Sequence, residues 1–138
     1  MNAIKPCRIM LVDNHLPLRQ EVKRLLCDAP DLEIIGEVGN GLELLTFMKS
    51  CHLLPHLVIL DLSMPGISGI ETLQRLKKSY PGVKVLILTR HHEEMYLRQA
   101  ISDGAEGYVV KNDAAEELLT AIEMIRQGRR YTSSFFAK

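Results

Sequence analysis

The sequence predicts an α/β fold in which helices cover a parallel sheet. Two observations support this class: five short apolar runs recur along the chain, and each is followed by a segment with apolar residues at helical spacing. Strands that alternate with helices indicate βαβ units, whose strands lie parallel. With 138 residues, of which 46% are hydrophobic and 25% charged, the chain fits one domain with its own core.

The predicted strands are the five apolar runs. They comprise residues 7–12, 32–38, 56–60, 83–88 and 107–110. The third run is apolar without interruption after His56, which is typical of a strand buried on both faces. Asp61 follows this run directly, at the carboxyl end of the strand, where ligands bind in open parallel sheets.

The five predicted helices follow these strands in turn. They cover approximately residues 17–27, 41–49, 68–79, 93–102 and 113–127. Pro17 suits the first turn of its helix, and Asp113 is the expected N-cap of the last helix. After Gly128 the helical spacing stops. We therefore expect residues 1–128 to form the domain and residues 129–138 to form a linker or a fraying end.

Composition excludes several classes of protein. Lys and Arg (17) balance Asp and Glu (17), so no overall basic field is available to bind DNA. The three cysteines Cys7, Cys27 and Cys51 are widely spaced, which favours reduced cysteines acting as small core residues. The first residues show no apolar signal segment, and no run reaches the ~18 apolar residues of a membrane span. We expect a cytoplasmic protein with no membrane partner.

Four polar residues follow four of the predicted strands. Asp13 follows the first strand, Asp61 the third, Thr89 the fourth and Lys111 the fifth. Two carboxylates suit a hard divalent cation such as Mg²⁺, and a lysine with a hydroxyl suits a group with negative oxygens. This set therefore predicts a site that accepts a phosphoryl group, with Asp61 as nucleophile. The simpler alternatives are helix-capping roles for Asp13, Asp61 and Thr89, and a solvated Lys111.

The residues around these four positions resemble a known family. The motifs lie at residues 9–15, 58–69, 85–89 and 104–111, and the resemblance covers about residues 6–128. They are similar to the CheY-like receiver domains of two-component response regulators. The turn at residues 39–41 and the closing residues 128–131 look most like the NarL/FixJ subfamily, which carries a LuxR-type helix-turn-helix domain. The resemblance implies a flavodoxin-like, doubly wound, five-stranded sheet in the order 2-1-3-4-5 with five helices.

The resemblance assigns a phosphorylation and metal site. It implies that Asp61 receives a phosphoryl group from a histidine kinase, and that Asp13 and the backbone carbonyl of Ser63 help to hold Mg²⁺. Asn14 departs from the family pattern, because two consecutive acidic residues are usual here and the second supplies a carboxylate ligand. A neutral amide oxygen should weaken Mg²⁺ binding.

The resemblance also assigns a switch. Thr89 is the hydroxyl that turns toward the phosphoryl group, Lys111 pairs with that group, and Tyr108 is the aromatic residue that is buried or exposed with the state of Thr89. Pro65 and Gly69 match the turn and the early helix after the phosphoacceptor. Such a coupling is a two-state equilibrium that phosphorylation would bias.

The implied partners are proteins. A histidine kinase would dock near the first helix and Asp61, and a second copy of the regulator would form a homodimer on activation. DNA would be contacted only through a C-terminal helix-turn-helix domain absent from these residues. The implied output is transcription regulation, and the domain is not expected to be an enzyme.

Two alternatives remain open at this point. Asn14 permits a degenerate receiver that binds partners without phosphorylation. Separately, the bulky Arg90 could alter the access of solvent to Asp61. A haloacid-dehalogenase-like phosphatase also uses an aspartyl phosphate, but its nucleophile follows the first strand in a D-x-D pattern. Here Asp61 follows the third strand, and the residue two positions later is Ser63 rather than an aspartate. A flavin module would need a Ser/Thr/Gly-rich phosphate-binding loop after the first strand, which residues 13–17 (DNHLP) cannot form. The residues 91–94 (HHEE) favour a solvated loop over a metal site.

Overall fold

The computed structural model describes residues 6–64 and 67–137, so Pro65 lies outside the described residues. The strands are β1 (Cys7–Val12), β2 (Leu32–Val38), β3 (Leu57–Leu60), β4 (Lys84–Thr89), β5 (Gly107–Val110) and β6 (Tyr131–Thr132). They form one sheet in the order β2-β1-β3-β4-β5-β6, and every neighbouring pair is parallel. The first five strands confirm the predicted order, with boundaries within one residue of those predicted.

Five helices connect the strands. They are α1 (Leu16–Leu26), α2 (Gly41–Ser50), α3 (Gly69–Ser79), α4 (Glu94–Ser102) and α5 (Ala114–Arg126). Helices α2 and α3 begin at side-chain caps: Asn40 Oδ1 accepts the Glu43 N–H, and Ser68 Oγ accepts the Glu71 N–H. Among the described residues, no helix has the length and apolar character needed to cross a membrane.

The core consists of two apolar layers, one on each face of the sheet. Successive residues of a strand point to opposite faces. Met10 and Val12 of β1 therefore pack toward α2, α3 and α4, whereas Ile9 and Leu11 pack toward α1 and α5. Because helices cover both faces of the sheet, the residues that follow the strands are the ones that open to a common cleft, and this placement determines where the candidate site lies.

The C-terminal residues differ from the prediction of a linker or a fraying end. Strand β6 extends the sheet beyond β5, and a short 3₁₀ turn (Ser134–Ala137) follows it. The physical reason is that hydrogen bonds to β5 and α5 fix these residues, although they lack an apolar repeat. The division of the chain at residue 128 stays a prediction, but residues 131–137 pack on the domain.

The cysteines agree with the prediction only in part. Cys7 is buried in the core and Cys51 is partly buried, whereas Cys27 is exposed. The core-residue prediction for Cys27 was wrong. Helix α1 turns Val22 and Leu26 toward the sheet, and Cys27 directly after Leu26 lies on a different side of the chain.

Candidate functional site

The carboxyl ends of the central strands bring three predicted residues together. Asp13 follows β1 and Asp61 follows β3, and the last residues of these two strands, Val12 and Leu60, are paired in the sheet. Lys111 follows β5. Lys111 Nζ lies 3.0 Å from Asp13 Oδ2 and 3.4 Å from Asp61 Oδ2. The alternative of a solvated surface lysine is therefore wrong.

The backbone fixes the orientation of both carboxylates. Asp13 Oδ1 accepts the His15 N–H at 2.8 Å, and Asp61 Oδ1 accepts the Ser63 N–H at 3.1 Å. Asp13 and Asp61 are only 2% and 3% exposed. Two buried carboxylates carry one negative charge more than Lys111 can offset, and uncompensated buried charge is unfavourable. The pair therefore favours a further cation.

The capping alternatives for the site residues are not supported. The N-cap positions of α1, α3 and α4 are occupied by His15, Ser68 and Glu93 respectively. Asp13, Asp61 and Thr89 lie earlier in the chain, at the strand ends. Each of the three accepts a hydrogen bond from the backbone N–H two residues later, in the loop that precedes the helix.

A cavity of about 470 Å³ opens beside Asp61. Its lining comprises Asn14, His15, Leu18, Asp61, Ser63, Arg90, Lys111 and Asn112. This volume is sufficient for a hydrated divalent ion and a phosphoryl group. Asn14 contributes a neutral amide at the position where the family pattern has a carboxylate, and the side chain of Arg90 is exposed to solvent. Within the described ranges, no three His, Cys, Asp or Glu side chains form a metal cluster.

Thr89 and Tyr108 form a second group, which is linked through His91. The His91 N–H donates to Thr89 Oγ1 at 3.4 Å, and the Tyr108 hydroxyl donates to the His91 carbonyl at 2.8 Å. Tyr108 is fully buried, with 0% exposure. Burial, with smaller contributions from Glu93, Tyr96 and Asp61, raises the pKa of Tyr108 well above its usual range. The hydroxyl therefore stays a hydrogen-bond donor at neutral pH.

Sequence reasoning missed His91, which was expected to lie in a solvated loop. Its Nε2 is hydrogen-bonded to Ser63 Oγ, and its ring stacks on Tyr96 with centroids 4.2 Å apart. A signal was present, since Ser63 and His91 each stand two residues after a predicted site residue. The β3–α3 and β4–α4 loops leave neighbouring strands, so their first residues can meet.

Comparison with known proteins places the chain in a family. Residues 9–123 match the model of the response regulator receiver domain. The chain is 39% identical over 134 residues to the nitrate/nitrite response regulator protein NarL of Escherichia coli K12, and 34% identical over 131 residues to the response regulator GacA of Pseudomonas protegens. These matches cover 96% and 95% of the chain, but in each case 61% of the longer relative.

Solved structures agree with this assignment. A two-component response regulator of the LuxR family from Aurantimonas has a TM-score of 0.85 and 33% identity, over 92% of this chain and 89% of that one. The isolated receiver domain of RcsB from Salmonella enterica has a TM-score of 0.89 at 22% identity over 96% and 97% of the two chains, which shows a shared fold. The chain belongs to the response regulator receiver domain family, and within it to the receivers of LuxR-family two-component regulators.

Proposed function

We propose that this receiver domain accepts a phosphoryl group on Asp61 from a histidine kinase. The observation that supports this most directly is the pair of buried carboxylates, Asp13 and Asp61, which share the Lys111 ammonium beside a cavity of about 470 Å³. A carboxylate is a competent nucleophile toward phosphorus when nearby cations offset the negative charge.

The geometry suggests which oxygen reacts. Asp61 Oδ1 accepts the Ser63 N–H, whereas Oδ2 faces Lys111 Nζ at 3.4 Å. Oδ2 would attack the phosphorus of a phosphohistidine, an O–P bond would form, and the N–P bond would break with its electron pair staying on the imidazole. The product is an acyl phosphate on Asp61. Lys111 would stabilise the negative charge on the transferred group.

The acidic pocket suits Mg²⁺. Asp13, Asp61 and the Ser63 carbonyl would hold the ion, which supplies charge stabilisation to the transferring phosphoryl oxygens. Asn14 can add an amide oxygen but no charge. Because hard cations prefer anionic oxygens, we expect weaker Mg²⁺ binding than with an aspartate at this position.

The switch would operate through the second buried group. On phosphorylation Thr89 would turn toward the phosphoryl group, and Lys111 would pair with it. The β4–α4 loop would follow, because the His91 N–H contacts Thr89 and the His91 carbonyl contacts Tyr108. The buried position of Tyr108 would then be the state favoured by phosphorylation.

The proposed output lies beyond this domain. The chain spans 61% of the length of NarL and GacA, so we propose that the complete protein carries a C-terminal helix-turn-helix domain that binds DNA. The receiver would form a homodimer on activation in the cytoplasm. A kinase would approach over α1 and the mouth of the cavity, where His15 and Leu18 line the entrance.

One experiment tests phosphorylation directly. The chain is treated with a small phosphodonor and Mg²⁺, and intact mass is measured for one added phosphoryl group. We expect the group on the wild-type chain and none on Asp61→Asn. Asn14→Asp should reach half-maximal phosphorylation at about tenfold lower Mg²⁺ concentration, because a carboxylate joins the ion's ligands. A wild-type chain that gains no phosphoryl group at any Mg²⁺ concentration would contradict the proposal.

Asn14 also supports a second candidate, a degenerate receiver that works as a protein-interaction module. The same experiment separates the two functions. If Asn14→Asp is phosphorylated and the wild-type chain is not, the site is intact except for its metal ligand, and the degenerate function holds. The phosphatase alternative is not favoured, because the chain belongs to a family of signalling modules.

A further inference from the structure

The C-terminal segment, defined here as residues 131–137, is bound to the edge of the sheet next to Tyr108. Strand β6 pairs with β5 in the register Gly107 to Tyr131 and Tyr108 to Thr132. The Ser133 N–H donates to the Tyr108 carbonyl at 2.8 Å. The backbone of the switch tyrosine therefore holds the beginning of this segment.

A buried carboxylate of α5 anchors the same segment. Glu117 is 9% exposed and accepts hydrogen bonds from the Tyr131 hydroxyl, from the Ser134 N–H at 3.0 Å and from Ser134 Oγ at 2.7 Å. Ser133 Oγ also donates to Asp113 Oδ2 at 2.6 Å. Burial alone would raise the pKa of Glu117, but these hydrogen bonds outweigh it and lower the pKa. Bound in this way, the segment supplies the partners that a buried carboxylate requires.

The segment also touches the ring of Tyr108. Phe136 contacts Tyr108 edge to face, with ring centroids 5.6 Å apart, and packs against the core layer below α2, α3 and α4. Tyr108 thus has three connections: its hydroxyl to the His91 carbonyl, its carbonyl to Ser133, and its ring to Phe136. Tyr108 thus links the β4–α4 loop, beside the acidic site, to the C-terminal segment.

We propose that the C-terminal segment reports the state of the acidic site through Tyr108, because the docked segment and the buried tyrosine stabilise each other. Phe136 packs on the buried ring, so a Tyr108 side chain that swings outward loses this contact and weakens the docking of the segment. Coupling between two sites is reciprocal, so a change at either end must shift the other by the same free energy. In a longer protein, the segment would pass this signal to the chain beyond residue 138.

The coupling is tested first without phosphorylation, by hydrogen exchange of the complete 138-residue chain. We expect Glu117→Gln and Phe136→Ala to speed amide exchange in residues 131–137 about tenfold, as expected for a lost hydrogen bond to a charged group or a lost aromatic contact. Phe136→Ala must also speed exchange in the β4–α4 loop. Tyr108→Phe, which keeps the ring and removes the hydroxyl, must speed exchange in residues 131–137 about fivefold.

A control on the same helix is available. Leu119 is an exposed residue of α5, and Leu119→Ala should leave exchange in residues 131–137 unchanged. If Phe136→Ala loosens residues 131–137 but leaves the β4–α4 loop unchanged, and Tyr108→Phe leaves the segment unchanged, the coupling does not exist and the proposal is overturned.

The second arm rests on the proposed function. After treatment with a small phosphodonor and Mg²⁺, exchange in residues 131–137 should slow severalfold in the wild-type chain and stay constant in Asp61→Asn. If mass shows phosphorylation but the exchange is unchanged, the proposal is wrong and the proposed function stands. If no phosphoryl group is added, the proposed function fails, and the substitutions alone decide whether Tyr108 couples the loop to the segment.

Discussion

Asp61 is held in a site whose charges do not balance. Asp13 and Asp61 share one ammonium group, that of Lys111, and all three side chains are shielded from water. Burial of an uncompensated charge is unfavourable, and functional sites often sacrifice stability in this way. The residues that suit the site to a cation should therefore destabilise the domain when the cation is absent.

Substitutions of Asp61 and Lys111 should change stability in opposite directions. Asp61→Asn removes the excess charge and keeps an oxygen for the Ser63 N–H, so we expect the free energy of unfolding to rise by about 1 kcal/mol. Lys111→Met leaves two buried carboxylates unpaired and should lower it by about 3 kcal/mol. Urea unfolding at neutral pH with a metal chelator measures both. Equal losses in the two variants would show that the charge imbalance is unimportant.

At the scale of elements, the first turn of α3 presses closely against the end of β3. The Gly69 N–H donates to the Leu62 carbonyl at 3.1 Å. A Cβ at Gly69 would lie 2.4 Å from the Asp61 carbonyl oxygen and 2.4 Å from Leu62 Cα. Both neighbours are backbone atoms, which cannot rotate away. The position of α3, and with it the backbone that carries Asp61, therefore depends on a glycine at residue 69.

Gly69→Ala should therefore lower the free energy of unfolding by about 2–3 kcal/mol, as overpacking against backbone does. Gly82→Ala is the matched control, because a Cβ at Gly82 meets nothing within 4 Å. It should leave stability unchanged or raise it by about 0.5 kcal/mol through the unfolded state. Thermal and urea unfolding of the two variants give the comparison. Equal stabilities would mean that α3 can shift without cost.

At the scale of the whole molecule, the parts predicted correctly are those governed by periodicity. Apolar runs such as residues 57–60 are typical of strands in a parallel sheet that helices cover on both faces, and parallel strands place the residues that follow them at the same end of the sheet. That is why Asp13, Asp61 and Lys111 could be expected to meet.

The parts missed depend on contacts without a repeat. His91 reaches Ser63 through the conformation of two loops, and the polar residues after Gly128 dock because Glu117 accepts their hydrogen bonds. Helix α5 carries several charged residues, and the sequence does not show that Glu117 is the buried one. The partners of Glu117 lie 14 and 17 residues away. A pairing of this kind between short polar segments leaves no pattern in one sequence.

The attachment of the C-terminal segment to the domain should depend on pH at the alkaline end. Tyr131 donates to the Glu117 carboxylate, and its burial, together with that carboxylate, raises the pKa of Tyr131 from 10.0 to about 12. The neutral phenol is the form that docks, so its contribution is complete below pH 10 and is lost as the pH rises toward about 12. Phenolate absorbance of the wild-type chain minus that of Tyr131→Phe should show this late titration. In Glu117→Gln the pKa of Tyr131 should fall but stay above 10.0, because burial, the larger cause, remains. A wild-type Tyr131 that titrates at 10.0 would mean that the segment leaves Glu117 in solution.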